Sequence, residues 1–261
     1  MNSELLDAVP LWCFLPLAVA FGMLALECGY RFGIWRHLHA IEEKDAPVAA
    51  MTASILGLLA FMLAFTFSLA FSRFDDRREA VVEEANAIGT TWLRAQLLPE
   101  PYRSEVAELL RQYTQLRTQK FAPDTIGELI AQSEQLQEKL WTQATVAADH
   151  NPQSIMTSLF LQSLNETIDL HTKRTFVALY SRIPLMIGLT LCSLTLLGLG
   201  SVGYQSGLSA TRRSPEMPIL TLAFSGVLYL IVDLDRGHEG LLYVSQQPMV
   251  TLHNSMKADQ P

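Results

Sequence analysis

Four stretches of this chain contain no Asp, Glu, Lys or Arg: residues 8–26, 46–72, 183–211 and 217–232. Together they hold 91 of the 261 residues, and the other 170 carry all 45 charges. The charge density of that remainder is about 26%, which is ordinary for soluble protein. A hydrocarbon core of roughly 30 Å takes about 20 helical residues to cross, within a range of about 17–25. The first three runs meet that length, and the fourth, at 16 residues, falls just short. Two materials therefore alternate along one chain. A single soluble globular domain is excluded, and so is a disordered acidic protein, despite the net charge of −7.

The pattern predicts an all-α membrane protein with spans at about 10–33, 47–72, 183–205 and 216–233. The residues before the first run include Glu4 and Asp7 and no basic residue. That run accordingly reads as a retained span rather than a cleaved signal peptide. By domain, 1–72 holds the first two spans and 73–182 an extramembrane part. The last two spans occupy 183–234, and 235–261 is a C-terminal tail. Nothing breaks a helix between Arg73 and Pro99, so the second span should continue as one rod from about 47 to 97, roughly 75 Å long. Helices over 102–120, 123–148 (opened by Pro123) and 152–182 complete an antiparallel helical domain. The last leads into the third span, with Pro184 as a kink.

Stepping along the second span and its extension by three and four residues meets Phe61, Phe65, Ser68, Ser72, Asp75, Glu79, Glu83, Asn86 and Thr90. This is the 3.6-residue period, so all nine share one face. Val81, Ala85, Ile88 and Trp92 form the opposite, apolar face of the extension and must pack against the domain. If several copies of the polar face surround an axis, Phe61 and Phe65 make an apolar constriction. Ser68 and Ser72 then line the pore below it, and Asp75, Glu79 and Glu83 form an acidic mouth. Rings of carboxylates favour cations, and apolar constrictions gate by dewetting. The plainer alternative is a solvated acidic face, with each serine bonded to its own i−4 carbonyl.

The last span ends on Asp233, Asp235 and Arg236, at a depth where ionisable groups pair or line a polar path. An ion-pair cluster of Arg73, Arg77, Asp233, Asp235 and Arg236 at the membrane edge is the expectation. Glu27 and Arg31 are spaced as an i,i+4 pair. Cys13, Cys28 and Cys192 lie in or beside apolar runs with no metal or disulfide spacing. Residues 198–203 match GxGxxG without the strand that a dinucleotide site needs. These glycines, with Gly203 and Gly207, suit close helix approach instead. His37 and His39 are too few for a metal site. No nucleophile–base pair, phosphate loop or basic patch is present, so neither an enzyme, a cofactor nor a nucleic-acid partner is expected.

Two segments carry a resemblance. Residues 65–101, FTFSLAFSRFDDRREAVVEEANAIGTTWLRAQLLPEP, and 222–249, LAFSGVLYLIVDLDRGHEGLLYVSQQPM, resemble the signatures of the bacterial bestrophin-like membrane protein family. One departure is Gly237, where Pro is expected after DLDR. The resemblance implies remote kinship with bestrophins, which are pentameric ion channels whose second helix lines the pore with hydrophobic residues. It therefore implies a homo-oligomer passing small ions through the lipid bilayer of the cell (inner) membrane. Orientation is read two ways. The positive-inside rule, weighted to short loops, puts the basic loops with Arg31, Arg36, Lys44, Arg212 and Arg213 in the cytoplasm and the helical domain outside. The resemblance implies the reverse. The functional expectation is a channel favouring cations. The alternative is a non-conducting scaffold or sensor that binds a partner protein through 103–150.

Overall fold

The computed structural model describes residues 10–39, 45–119, 125–209, 215–236 and 240–258. The expectations placed on Lys44, Pro123, Arg212, Arg213 and Gly237 lie outside the described residues. The described chain is all helical, and among these residues there is no strand. The helices are α1 (Leu11–Leu38), α2 (Asp45–Ala95), α3 (Tyr102–Arg117), α4 (Ile126–His150), α5 (Ile155–Tyr180), α6 (Leu185–Leu208), α7 (Glu216–Arg236) and α8 (Gln247–Ala258). Contacts divide the chain into two units. One comprises Met1–Arg73 and Arg182–Leu242, and the other Phe74–Ser181 and Tyr243–Pro261.

The first unit contains α1, the first part of α2, α6 and α7. Among the described residues, four helical stretches are long and apolar enough to cross a membrane: Leu11–Leu38, Ala46–Ala95, Ile155–Leu208 (α5 followed by α6) and Glu216–Arg236. Only 17% of the apolar window in α1 and 22% of that in α2 is buried within the chain. Their apolar surface therefore looks outward, as lipid or a second copy requires. α1 packs on α6 through glycine. A Cβ added at Gly29 would strike the carbonyl of Gly200, and one at Gly203 the carbonyl of Leu26. Gly33 and Gly207 are equally tight against backbone. Small residues let membrane helices approach until their backbones touch, which is the role Gly200 and Gly203 of the GxGxxG run have here. A Cβ added at Gly198 would stand 3.3 Å from the Leu56 side chain and 3.5 Å from that of Leu59 in α2, the first closer than ordinary contact.

The second unit is built on amphipathic packing. Val81, Ala85, Ile88 and Trp92 of α2 are all buried and meet Val106, Leu110 and Tyr113 of α3, Leu140 and Ala144 of α4, and Phe160 and Leu164 of α5. Ser154 caps α5, its Oγ accepting from the N–H of Thr157 at 3.2 Å. The chain after residue 234, expected as a tail, contains α8, whose Met249, His253 and Met256 are buried at helical spacing. Met249 and Met256 join the core of this unit, and Thr114 donates to the Met256 sulfur at 3.5 Å. At Pro184 the chain breaks rather than kinks: α5 stops at Tyr180, and Pro184 becomes the residue preceding α6. A ring without an N–H is best placed at a helix start, where no intrahelical bond is lost.

Candidate functional site

The predicted stripe on α2 lies on a bare face. In the membrane unit Phe61 and Phe65 are 66% and 63% exposed, and Ser68 and Ser72 are exposed beside them. Leu59, Leu63, Thr66 and Ala70 form the buried side of the same stretch. Six other hydroxyls in the spans bond back to the i−4 carbonyl: Ser54 to Ala50, Thr66 to Met62, Thr190 to Met186, Ser193 to Leu189, Thr195 to Leu191 and Thr221 to Met217, at 2.8–3.0 Å. Ser68 and Ser72 form no such bond among the described residues, so their hydroxyls remain available to water or an ion. In the helical unit Asp75, Glu79, Asn86 and Thr90 are exposed and Glu83 is half-buried. Glu83 has a counter-charge, because Lys173 of α5 donates to its Oε2 at 2.6 Å.

The membrane-edge charges are occupied in a way that their spacing does not reveal. Arg73 donates to the carbonyl of Arg182. In the same unit Asp235 Oδ1 accepts from the N–H of Ile183 at 2.7 Å. In the helical unit Arg77 donates to the carbonyl of Ser181 at 3.0 Å. The break between α5 and α6 explains these bonds. It leaves peptide groups without helical partners, and each one left buried and unsatisfied would cost about 1–3 kcal/mol. Asp233 departs from the ion pairing expected of it. Its side chain is fully buried, and its two oxygens accept from the N–H groups of Leu241 and Leu242 at 3.1 and 3.2 Å. Gly240, with φ +105°, closes this turn so tightly that a Cβ would collide with the Asp233 carboxylate and Leu11. Arg236 is buried at 5% exposure. The Glu27–Arg31 pair forms at 2.8 Å.

A second polar constellation, not anticipated from sequence, sits inside the helical unit. Glu84 is fully buried and receives two arginines. Arg117 of α3 donates through Nε to Oε1 at 3.0 Å and through Nη2 to Oε2 at 3.1 Å. Arg174 of α5 donates to Oε2 at 2.5 Å. Tyr113 adds its hydroxyl at 2.9 Å and itself accepts from Gln137 at 3.1 Å. Arg174 also reaches the Gln246 side-chain oxygen at 2.7 Å. His171 Nδ1 stands 3.7 Å from the carboxylate. Burial opposes the charge on Glu84, but His171, Arg117 and Arg174 outweigh it and hold the carboxyl well below the usual carboxylate range. Burial, then the Glu84 charge, pushes the Tyr113 hydroxyl far above its ordinary value, so it stays a neutral donor. The clue in the sequence is position. Glu84 is i+3 from Val81 and i−4 from Ile88, on the apolar face, where an acid requires a buried partner.

No cluster of His, Cys, Asp or Glu suited to a metal ion occurs among the described residues. Four membrane-capable helices, a glycine-packed membrane unit and a helical extramembrane unit define a multi-pass all-α membrane protein. The chain belongs to the bestrophin-like family: residues 18–249 match the Bestrophin-like domain. Its fold is similar to the crystal structure of a bacterial Bestrophin homolog from Klebsiella pneumoniae, with 16% identity, TM-score 0.66, and coverage of 95% of this chain and 98% of that one. A point variant of a Klebsiella pneumoniae Bestrophin homolog is similar at 15% identity and TM-score 0.69, covering 94% and 97%. The crystal structure of a membrane protein variant is similar at 16% identity and TM-score 0.65, covering 95% and 97%. Comparison with curated proteins gives no match.

Proposed function

We propose that this chain forms a homo-oligomeric ion channel of the bestrophin type in the cell membrane, with α2 lining the pore and cations favoured over anions. The observation that carries the reading is the bare face of α2. Residues Phe61, Phe65, Ser68 and Ser72 are exposed on a span whose opposite side is packed, and Asp75 and Glu79 continue the same helical stripe as exposed acids. Exposed serines with unused hydroxyls are poorly matched to lipid and well matched to a hydrated path. Copies of this face around an axis would set Phe61 and Phe65 as the dewetting constriction and the carboxylates as rings that concentrate cations. The expected permeants are small inorganic ions, and the partner in assembly is the chain itself.

The test is flux from purified protein in liposomes under a salt gradient, read as reversal potential. Wild type should prefer potassium to chloride, and the pair Glu79→Gln and Glu83→Gln should weaken that preference. Selectivity untouched by the pair, in a conducting protein, would remove the acidic mouth. Absence of flux from wild type, with capture of a partner that deleting 103–150 abolishes, would replace the channel by the scaffold.

A further inference from the structure

Consecutive residues on α2 and α5 pair in tandem. Glu83 and Glu84 meet Lys173 and Arg174, one pair at the surface and one in the core. The inner pair is fully enclosed, so it holds α5 in register beside the α2 extension. The outer pair is then delivered to the acidic stripe with little freedom. Lys173 keeps 52% of its side chain exposed and Glu83 keeps 35%. Beyond its bond to Glu83, the ammonium feels the charges of Glu79 and Asp76. A cation held there subtracts from the negative potential that the stripe presents.

We propose that Lys173 is a selectivity-setting residue: by neutralising Glu83 it caps the cation preference of the mouth, leaving Asp75 and Glu79 as its effective charges. The proposal rests on the channel reading above. Its physical basis is that a unit charge acts on exposed charges through water within about 10 Å before salt screens it. At about 6 Å in a water-like dielectric, removing one such charge changes local ion concentration about threefold.

The experiment measures the potassium-to-chloride permeability ratio of purified full-length protein in planar bilayers, by reversal potential in a potassium chloride gradient. Lys173→Met should raise the ratio about tenfold, because potassium is enriched and chloride depleted by about threefold each, and Glu83→Gln should lower it. The double variant should return close to wild type, because both members of a neutral pair are gone. Lys173→Arg, which keeps the charge, should match wild type; a role in folding alone would not sort the variants by charge. A Lys173→Met ratio equal to wild type, in a protein where Glu79→Gln does shift it, overturns the assignment and leaves the channel reading standing. A Lys173→Arg ratio that follows Lys173→Met also overturns it. Wild-type protein that passes no ions overturns both.

Discussion

Replacing Glu84 by Gln is nearly isosteric, yet it should be the most damaging single change in the helical unit. The carboxylate faces two guanidiniums, those of Arg117 and Arg174, whose side chains are 1% and 2% exposed. Removing one member of a buried ion pair costs about 3–5 kcal/mol, because the other charge is left stranded. Here two arginines lose a shared carboxylate, and Gln can accept only through one oxygen. The upper part of that range, about 4–5 kcal/mol, is the expectation. At about 2–4 °C per kcal/mol for a chain of this size, the unfolding midpoint in detergent should fall by about 8–20 °C. Glu83→Gln, one residue away and partly exposed, is the control and should cost at most about 1 kcal/mol. The two variants should also differ with pH. Because the Glu84 carboxyl in the folded protein lies well below its unfolded value, its stabilisation is complete above the unfolded value, near pH 4.3. It is lost as pH falls further toward the depressed folded value. Wild type and Glu83→Gln should therefore lose stability on acidification below about pH 4, and the Glu84→Gln curve should be flatter there. Equal midpoints for Glu84→Gln and Glu83→Gln would refute the claim that the core depends on this carboxylate.

Two further outcomes follow from the membrane unit. Gly203→Leu puts a side chain where the carbonyl of Leu26 lies, so α1 and α6 must separate. The cost should reach or exceed the upper end of the usual overpacking range of about 1–3 kcal/mol, read as a lower unfolding midpoint or lost folded yield, whereas Gly188→Ala in the same helix meets nothing within 4 Å and should be neutral. Replacing Phe61 and Phe65 together by Ala widens the proposed constriction and should raise liposome flux severalfold, and unchanged flux would remove these rings from the gate.

The parts of the fold that were legible in the sequence are those set by one rule at a time. Bilayer thickness alone accounts for the apolar runs that became α1, α6 and α7, since a charge inside them would face hydrocarbon. Helical period alone separates the two faces of the α2 extension, and Val81, Ala85, Ile88 and Trp92 are indeed buried. What was not legible depends on two elements meeting. Asp233 reads as a partner for arginine until the turn at Gly240 brings the N–H groups of Leu241 and Leu242 onto it. α8 reads as tail because its apolar positions, Met249 and Met256, acquire meaning only against the core that they cover. The bonds of Arg73 and Asp235 to Arg182 and Ile183 follow from the break at Pro184, which a kinked continuous helix would not have required.

The Glu83–Glu84 doublet shows why charge must be assigned to a face before it is assigned a role. Consecutive residues on an α-helix point about 100° apart, so one glutamate joins the exposed stripe while the next enters the core. The same rotation on α5 sends Lys173 outward and Arg174 inward. Each acid thus meets a cation, but the consequences diverge. Between the surface pair, water reduces the attraction to about 1 kcal/mol, leaving Lys173 free to act mainly on the potential that ions experience. In the core, two arginines around one carboxylate act on stability, and they fix the register that delivers Lys173 to the stripe. A function built on Asp75, Glu79 and Glu83 would therefore depend on Glu84 without Glu84 ever facing an ion. Glu84 variants should lose conduction through unfolding, with the selectivity of whatever protein remains folded unchanged, whereas Lys173 variants should keep their stability and change selectivity.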